Sequence, residues 1–409
     1  MEGGIQRYTT ENEFGAGVVL SWASIIEDST IEQALRIARS PIVEGHLALM
    51  PDAHFGYGPP VGSALKARVG VMPYAVGVDI GCGMIAVQTN VARDALAGLE
   101  GRILGHIRRL IPSGVGTKFT TPSHDAEAFL EAHGLPNGLL SNAIEVRKGP
   151  IQKIANDLAQ ITIPLQFGTL GSGNHFAEVS QDPEGSVWLI VHSGSRGIGN
   201  TLATAHFNRA RAFCIEHGIV VEHPELSHFP VDTDGFRDYI ADMLWCQTYA
   251  FQQREAMMNR LLDAVGLEYS GVEEVQRINC HHNYAEQAGD GYWITRKGAI
   301  NAEPGRMGII PGSMGAATYI VEGLGNPDAY HSSPHGAGRM YGRNQARKNL
   351  SIDEFKREMA GKTWQDRDAA KLIDEAPQAY KPIEQVMADS KDLVRPLQVL
   401  SQFINYKGL

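Results

Sequence analysis

Five residues combine a reactive side chain with a suggestive place in the chain. Asp79 and Cys82 share the segment VGVDIGCGM, between glycines that permit tight turns. His175 ends the glycine-rich stretch GTLGSGNH, His192 follows the apolar run VWLIV, and His282 lies in NCHHNY. Each stands at an apolar-to-polar junction, where a strand would aim it into a shared pocket. A carboxylate, a thiolate and three imidazoles suit borderline divalent metals, and one cysteine can bridge two ions. The plainer reading makes Cys82 a small buried hydrophobe and Asp79 a turn cap. Cys280 and His281 compete with His282, and strand alternation does not choose among them. His106, His124, His133, His206, His217, His223 and His228 lack a partner motif and read as surface or satisfied core residues.

A second constellation is HGAGR. His335 precedes small residues and Arg339, with Arg343 and Arg347 at four-residue spacing. If 339–348 is helical, the three arginines share one face. A histidine beside glycines and guanidiniums suits phosphate chemistry. The imidazole attacks phosphorus, the backbone approaches closely and arginine neutralises oxygens. The plainer reading is a solvated basic helix with a glycine turn before it.

These residues need elements to hold them. Apolar runs lead into glycine-rich clusters at HLALM, VWLIV and YWIT, a pattern of strands delivering loops. Helical patterning is clearest near 30–40, 202–217 and 236–265, with two further helices near 351–360 and 382–391. The stretch 219–235 reads as a surface loop. The glycine-rich segments span 50 to 340, which favours one large α+β unit over the two or three domains that 409 residues would suggest.

Composition sets limits. With 43% hydrophobic and 20% charged residues, the chain is that of a globular protein. Four scattered cysteines without a CxxC pair fit a reducing cytoplasm. No signal peptide and no membrane-spanning run is read. The formal charge of −10 argues against a nucleic-acid partner, but it is uneven. Residues 335–409 carry 13 basic and 10 acidic side chains, which predicts a local basic groove. The GKT at 361–363 is not a P-loop, because Lys356 stands where glycine is required. GxSxG, HExxH, KxDG and a Rossmann GxGxxG are absent.

Taken in order, MPDAHFGYG, VGVDIGCGM, LGSGNHF, HSGSRGIGN, NCHHNY, TRKGA, PGSMG, HGAGR and the closing KG resemble the RtcB family of RNA-splicing ligases. The resemblance runs from TTEN near the start to KGL. It implies a GTP- and manganese-dependent ligase that joins RNA ends with a 2′,3′-cyclic phosphate or 3′-phosphate to 5′-hydroxyl ends. It further implies that Asp79, Cys82, His175, His192 and His282 hold two Mn²⁺ ions, with Cys82 as the bridge, and that His335 takes GMP as a phosphoramidate. Asn174 and Glu178 match nucleotide-contacting positions. Ser313, Thr318, Tyr380 and Lys407 match residues around guanine and ribose, and Gly336 and Gly338 belong to the same nucleotide-binding set. Arg196, Arg339 and Arg343 match phosphate contacts to nucleotide or RNA. Asp52 reads as a residue supporting the ligands.

Pro334 stands where related sequences often carry Cys or Ser, Gly342 and Thr318 where Ser is common, and Leu409 follows the usual terminal glycine. The implied fold is a single α+β catalytic domain over 1–409, with mixed and antiparallel sheets inside surrounding helices. The implied setting is cytoplasmic tRNA splicing and RNA repair, away from membranes, with room for an activating protein partner. The alternative is a metal-dependent phosphoesterase that processes phosphate ends without joining them.

Overall fold

The structure, a computed structural model, describes residues 4–138, 162–289 and 291–409. The expected span of 1–409 thus includes positions outside the described residues. Seventeen strands are described: β1 (Gln6–Asn12), β2 (Gly15–Ser21), β3 (Val43–His54), β4 (Val61–Ala67), β5 (Gly70–Val71), β6 (Gly83–Ala92), β7 (Phe176–Gln181), β8 (Ser186–Ser193) and β9 (Phe229–Pro230). They continue with β10 (Glu274–His281), β11 (Asn283–Gln287), β12 (Trp293–Lys297), β13 (Ala299–Asn301), β14 (Met307–Pro311), β15 (Thr318–Gly323), β16 (Ser332–Pro334) and β17 (Val394–Lys407). A six-stranded sheet runs β1-β2-β3-β4-β12-β11 and a seven-stranded sheet runs β10-β6-β8-β7-β17-β15-β14. Every pair in the larger sheet is antiparallel, and β2 with β3 is the parallel pair of the smaller one. The expected α+β class with mixed and antiparallel sheets is the one observed.

Period-two alternation explains how the larger sheet serves the site. Along β6 and β8, Ile85, Val87, Val187, Leu189 and Val191 turn to a core shared with helices Glu100–Leu110 and Asp234–Gly266. Met84, Ala86, Trp188 and Ile190 face the other way, into a second cluster with Phe176 and Ile278. With both faces covered, these strands are almost continuously apolar, as VWLIV suggests. Cys82 and His192 fall in step with the second face, at the strand ends, and Met84 pairs with His192 across the ladder.

The expected helices appear at Asp28–Ala38, Arg196–Glu216, Asp234–Gly266, Ile352–Glu358 and Ile383–Asp389. The longest begins at Thr233, whose hydroxyl accepts from the Phe236 amide as an N-cap. Two expectations change. The stretch 219–235 is not a plain surface loop: it carries a 3₁₀ turn at Pro224–Leu226 and strand β9, paired with β5. Leu226, Ser227, His228 and Phe229 are buried there, because Leu226 and Phe229 join the apolar clusters that hold Met72 and Val71. Nor is 339–348 one helix. Its helical part is Arg343–Asn349, and Arg339 instead makes a bridge to Tyr380. Gly338 and Gly342 flank Arg339 and interrupt the helical pattern. Among the described residues, no helix is long and apolar enough to cross a membrane.

Candidate active site

The ends of β6, β8 and β10 meet at a buried cluster. Cys82 Sγ lies 3.5 Å from His175 Nε2 and 3.3 Å from His192 Nε2. His192 Nε2 lies 3.3 Å from His282 Nε2, and Asp79 Oδ2 lies 3.0 Å from His175 Nε2. Cys82, His175 and His192 bring one donor atom each to within 4.8 Å of one another. All five expected ligands are therefore gathered in one place.

The surroundings fit a metal. His175 Nδ1 meets the Leu170 carbonyl at 2.9 Å and His192 Nδ1 meets the Asn174 carbonyl at 3.2 Å. A carbonyl can only accept, so both Nδ1 atoms donate; this leaves the His192 Nε2 lone pair facing the cluster, while His175 Nε2 lies against the Asp79 carboxylate. Burial holds His192 and His282 well below the usual imidazole range, in the neutral, ligating form. Burial also raises the Cys82 thiol well above its usual range. Burial would raise Asp79 too, but His175 and the Ser195 amide, at 2.9 Å, outweigh it and hold that carboxyl low. Gly194 makes room for this carboxylate, since a Cβ there would overlap it.

The choice between His281 and His282 is settled by register. His282 continues the face of Ile278 and Cys280, toward the cluster. His281 turns to the opposite side, where its Nδ1 meets the Gly81 carbonyl at 2.9 Å and Arg254.

His335 follows β16 and stands beside this cluster. Its ring centroid is 4.7 Å from that of His282. Its Nδ1 is 2.7 Å from Asp52 Oδ2, which also accepts from the His335 amide at 3.1 Å. The carboxylate thus fixes Nδ1–H and leaves Nε2 with the lone pair. Asp52 is fully buried, supplied by β3. Gly338 has φ +74°, and a Cβ there would overlap the Asp52 carbonyl oxygen, so HGAGR can close on β3 only with glycine.

A cleft of about 370 Å³ joins these parts. Its wall includes Asp79, Cys82, His192, His282, His335, Gly336, Gly338, Asn174, Glu178, Ser313, Tyr380, Lys407, Arg339 and Arg343. Thr318 lies beneath, its hydroxyl 3.4 Å from Glu178 Oε1, and Ser180 donates to the same oxygen at 2.5 Å. Burial pushes the Glu178 carboxyl up to about 7. Arg196 is not part of the wall. It opens its helix at φ +60°, with Nε 3.1 Å from Thr169 Oγ1.

Three groups at the site, Asp374, Glu375 and Arg254, lie outside the short motifs, and a fourth, Lys297, lies in TRKGA without having been singled out. Asp374 and Glu375 are buried acids that collect the cations: Glu375 meets Lys407 at 2.9 Å, Arg343 at 2.6 Å and the Tyr380 hydroxyl at 2.7 Å, and Asp374 meets Arg343 and Arg347. Burial opposes ionisation of Glu375, yet Lys407 and Arg343 outweigh it and hold that carboxyl at about 2. Arg254, fully buried, donates to the carbonyls of Gly81 at 2.8 Å and Ser193 at 3.0 Å and to Asn279 Oδ1 at 3.0 Å. Lys297 lines the cleft, and burial pushes its ammonium down to about 7. For Asp374 and Glu375 the available sequence cue was a charged pair inside an apolar frame, LIDEAP.

Fold and site together define an α+β protein with a thiol–imidazole metal-type centre beside a carboxylate-anchored histidine. A family model described as tRNA-splicing ligase RtcB matches residues 33–408, and the chain belongs to the RtcB family. It is 36% identical over 397 residues to the RNA-splicing ligase RtcB of Escherichia coli K12, covering 94% of this chain and 95% of that protein. It is 29% identical to the tRNA-splicing ligase RtcB of Nanoarchaeum equitans, covering 90% of this chain and 88% of that protein. The corresponding protein of Thermococcus kodakarensis is 28% identical, over 88% of this chain and 87% of its own length.

Proposed function

We propose that this chain is an RNA ligase that uses GTP to join ends bearing a 2′,3′-cyclic phosphate or 3′-phosphate to 5′-hydroxyl ends. The observation that carries the reading is His335: one ring nitrogen is held by Asp52, and the ring packs against His282 of the metal-type cluster. The relatives' names support RNA as the substrate.

Asp79, Cys82, His175, His192 and His282 would hold two Mn²⁺ ions, with Cys82 shared. Such ions supply Lewis acidity toward phosphate oxygens. Cys82 ligates by giving up its proton, so loading releases protons and favours higher pH. His335 Nε2 attacks the α-phosphorus of GTP, an N–P bond forms and pyrophosphate leaves. The proton on Nδ1 stays against Asp52, which stabilises the positive ring. GMP passes to the RNA 3′-phosphate, the 5′-hydroxyl attacks that phosphorus, and GMP departs. A cyclic phosphate is first opened by water to the 3′-phosphate.

Glu178, Thr318, Ser313, Asn174, Tyr380 and Lys407 hold guanosine, with Gly336 and Gly338 giving its phosphate a close backbone. Arg339 and Arg343 neutralise phosphate oxygens. Arg196 serves phosphate only if it leaves Thr169. The test is incubation with labelled GTP and Mn²⁺. An acid-labile, base-stable GMP adduct is expected on the wild type and none on His335→Ala; equal labelling of the two overturns the assignment. Release of a 3′-phosphate with no joined product would favour the phosphoesterase instead.

A further inference from the structure

Part of the cleft is not used by this chemistry. Tyr57, Tyr74 and Phe207 line it together with Lys297. Tyr57 is 80% exposed. Its backbone, by contrast, is tied down. Gln33, itself buried, donates to the carbonyls of Gly56 and, at 2.8 Å, Gly58, and accepts from the Gly56 amide at 3.2 Å. The Gly58 amide donates to Glu225 at 2.6 Å. The Lys297 ammonium donates to the Tyr57 carbonyl and reaches the Tyr74 carbonyl at 3.4 Å. Tyr74 stacks on Phe207 with centroids 3.8 Å apart. Among the described residues, no hydrogen bond or ring contact joins this aromatic wall to the group around Glu375, Tyr380 and Lys407.

We propose that Tyr57 is a stacking platform for the unpaired nucleobase at the reacting RNA end, on a subsite separate from the one that holds guanosine. This rests on the reading of the site as one for RNA ends. Base stacking on an aromatic face is tolerant of sequence, because every base has a π surface. It is effective where the ring is already placed, since little freedom is lost on binding. The pinned backbone of residues 56–58 meets part of that condition, leaving only the two side-chain torsions of Tyr57 to be fixed on binding. Tyr57 stands in the cleft wall with its ring bare to solvent, where a flat base can lie against it.

The test uses full-length protein and a single-stranded oligoribonucleotide with a 3′-phosphate and 2-aminopurine as its last base. On the wild type, stacking quenches the fluorophore as binding proceeds. Tyr57→Ala is expected to weaken binding about 5- to 100-fold and to remove the quench. Tyr57→Phe should keep both, which separates stacking from loss of the loop. An oligonucleotide lacking the last base should bind wild type and Tyr57→Ala equally. The proposal is overturned if Tyr57→Ala binds the intact oligonucleotide as the wild type does, or loses the same factor on the abasic one. Failure of the ligase reading shows elsewhere, as absence of a GMP adduct on the wild type.

Discussion

Under the proposed function, His335 owes its reactivity to one contact, the carboxylate of Asp52 on Nδ1. Asp52→Asn should keep the fold but let the ring take the wrong tautomer, lowering the rate of GMP transfer to His335 by about 10²–10⁴-fold in single-turnover labelling. A loss of under threefold would mean the contact is only structural. Glu178 offers a test through stability. Its folded pKa, about 7, exceeds the unfolded value, so folding takes up a proton between about 4.5 and 7. Below that window the wild type and Glu178→Gln should be equally stable. Well above pH 7 the variant should be more stable by about 3 kcal/mol in denaturant melts, because the penalty of a buried charge is gone. Asp79, Cys82, His175, His192 and His335 stood out as chemistry-bearing types at glycine-rich junctions, His282 stayed open against Cys280 and His281, and only the family resemblance named the full set. Asp52 was legible as a supporting residue. Glu375 was not, since an acidic residue acquires meaning only from the cations around it, and these come from positions as far apart as 343 and 407.

At the scale of elements, Arg254 joins the segments that carry the cluster. It lies on the long helix and binds the carbonyls next to Cys82 and after His192, as well as Asn279 on β10. Arg254→Met should leave those carbonyls unpaired and loosen the ends of three strands. The expected result is a loss of about 3–5 kcal/mol in unfolding free energy, with bound manganese measured by atomic emission falling together with it. Full metal retention would show that the strands hold their own geometry. The helix itself was legible from its periodicity, but its contact with the site was not, because a buried arginine looks in sequence like any surface one. Strand existence was legible as well. The direction of each side chain was not: NCHHNY offers two adjacent histidines, and only the pairing of β10 with β6 decides that His282 faces the cluster. The arginines show the converse. Their convergence was expected and occurs, yet not through one helical face, because Arg339 lies outside the helix and Asp374 and Glu375 draw the groups together.

At the scale of the molecule, the net charge of −10 coexists with a positive pocket, in which Arg339, Arg343, Arg347 and Lys407 surround two carboxylates. RNA binding should therefore weaken with salt. Arg343→Ala is expected to reduce the slope of log K against log salt by about 0.7, the share of one phosphate contact on a single strand. An unchanged slope would place Arg343 away from the RNA. We propose that the described chain works as one catalytic unit, since the site draws on residues from Asp52 to Lys407. The larger sheet gives this a temporal side. Strand β17 follows all the other strands in sequence, yet it lies between β7 and β15, and its Lys407 pairs with Phe176. At about 5–20 residues per second, roughly ten to forty seconds of synthesis separate β7 from β17. Throughout that interval β7 presents an unpaired edge, joined late by that of β15, and such edges invite association with other chains. A newborn copy therefore carries an open sheet edge for most of its synthesis, and Lys407 reaches Glu375 only when that exposure ends.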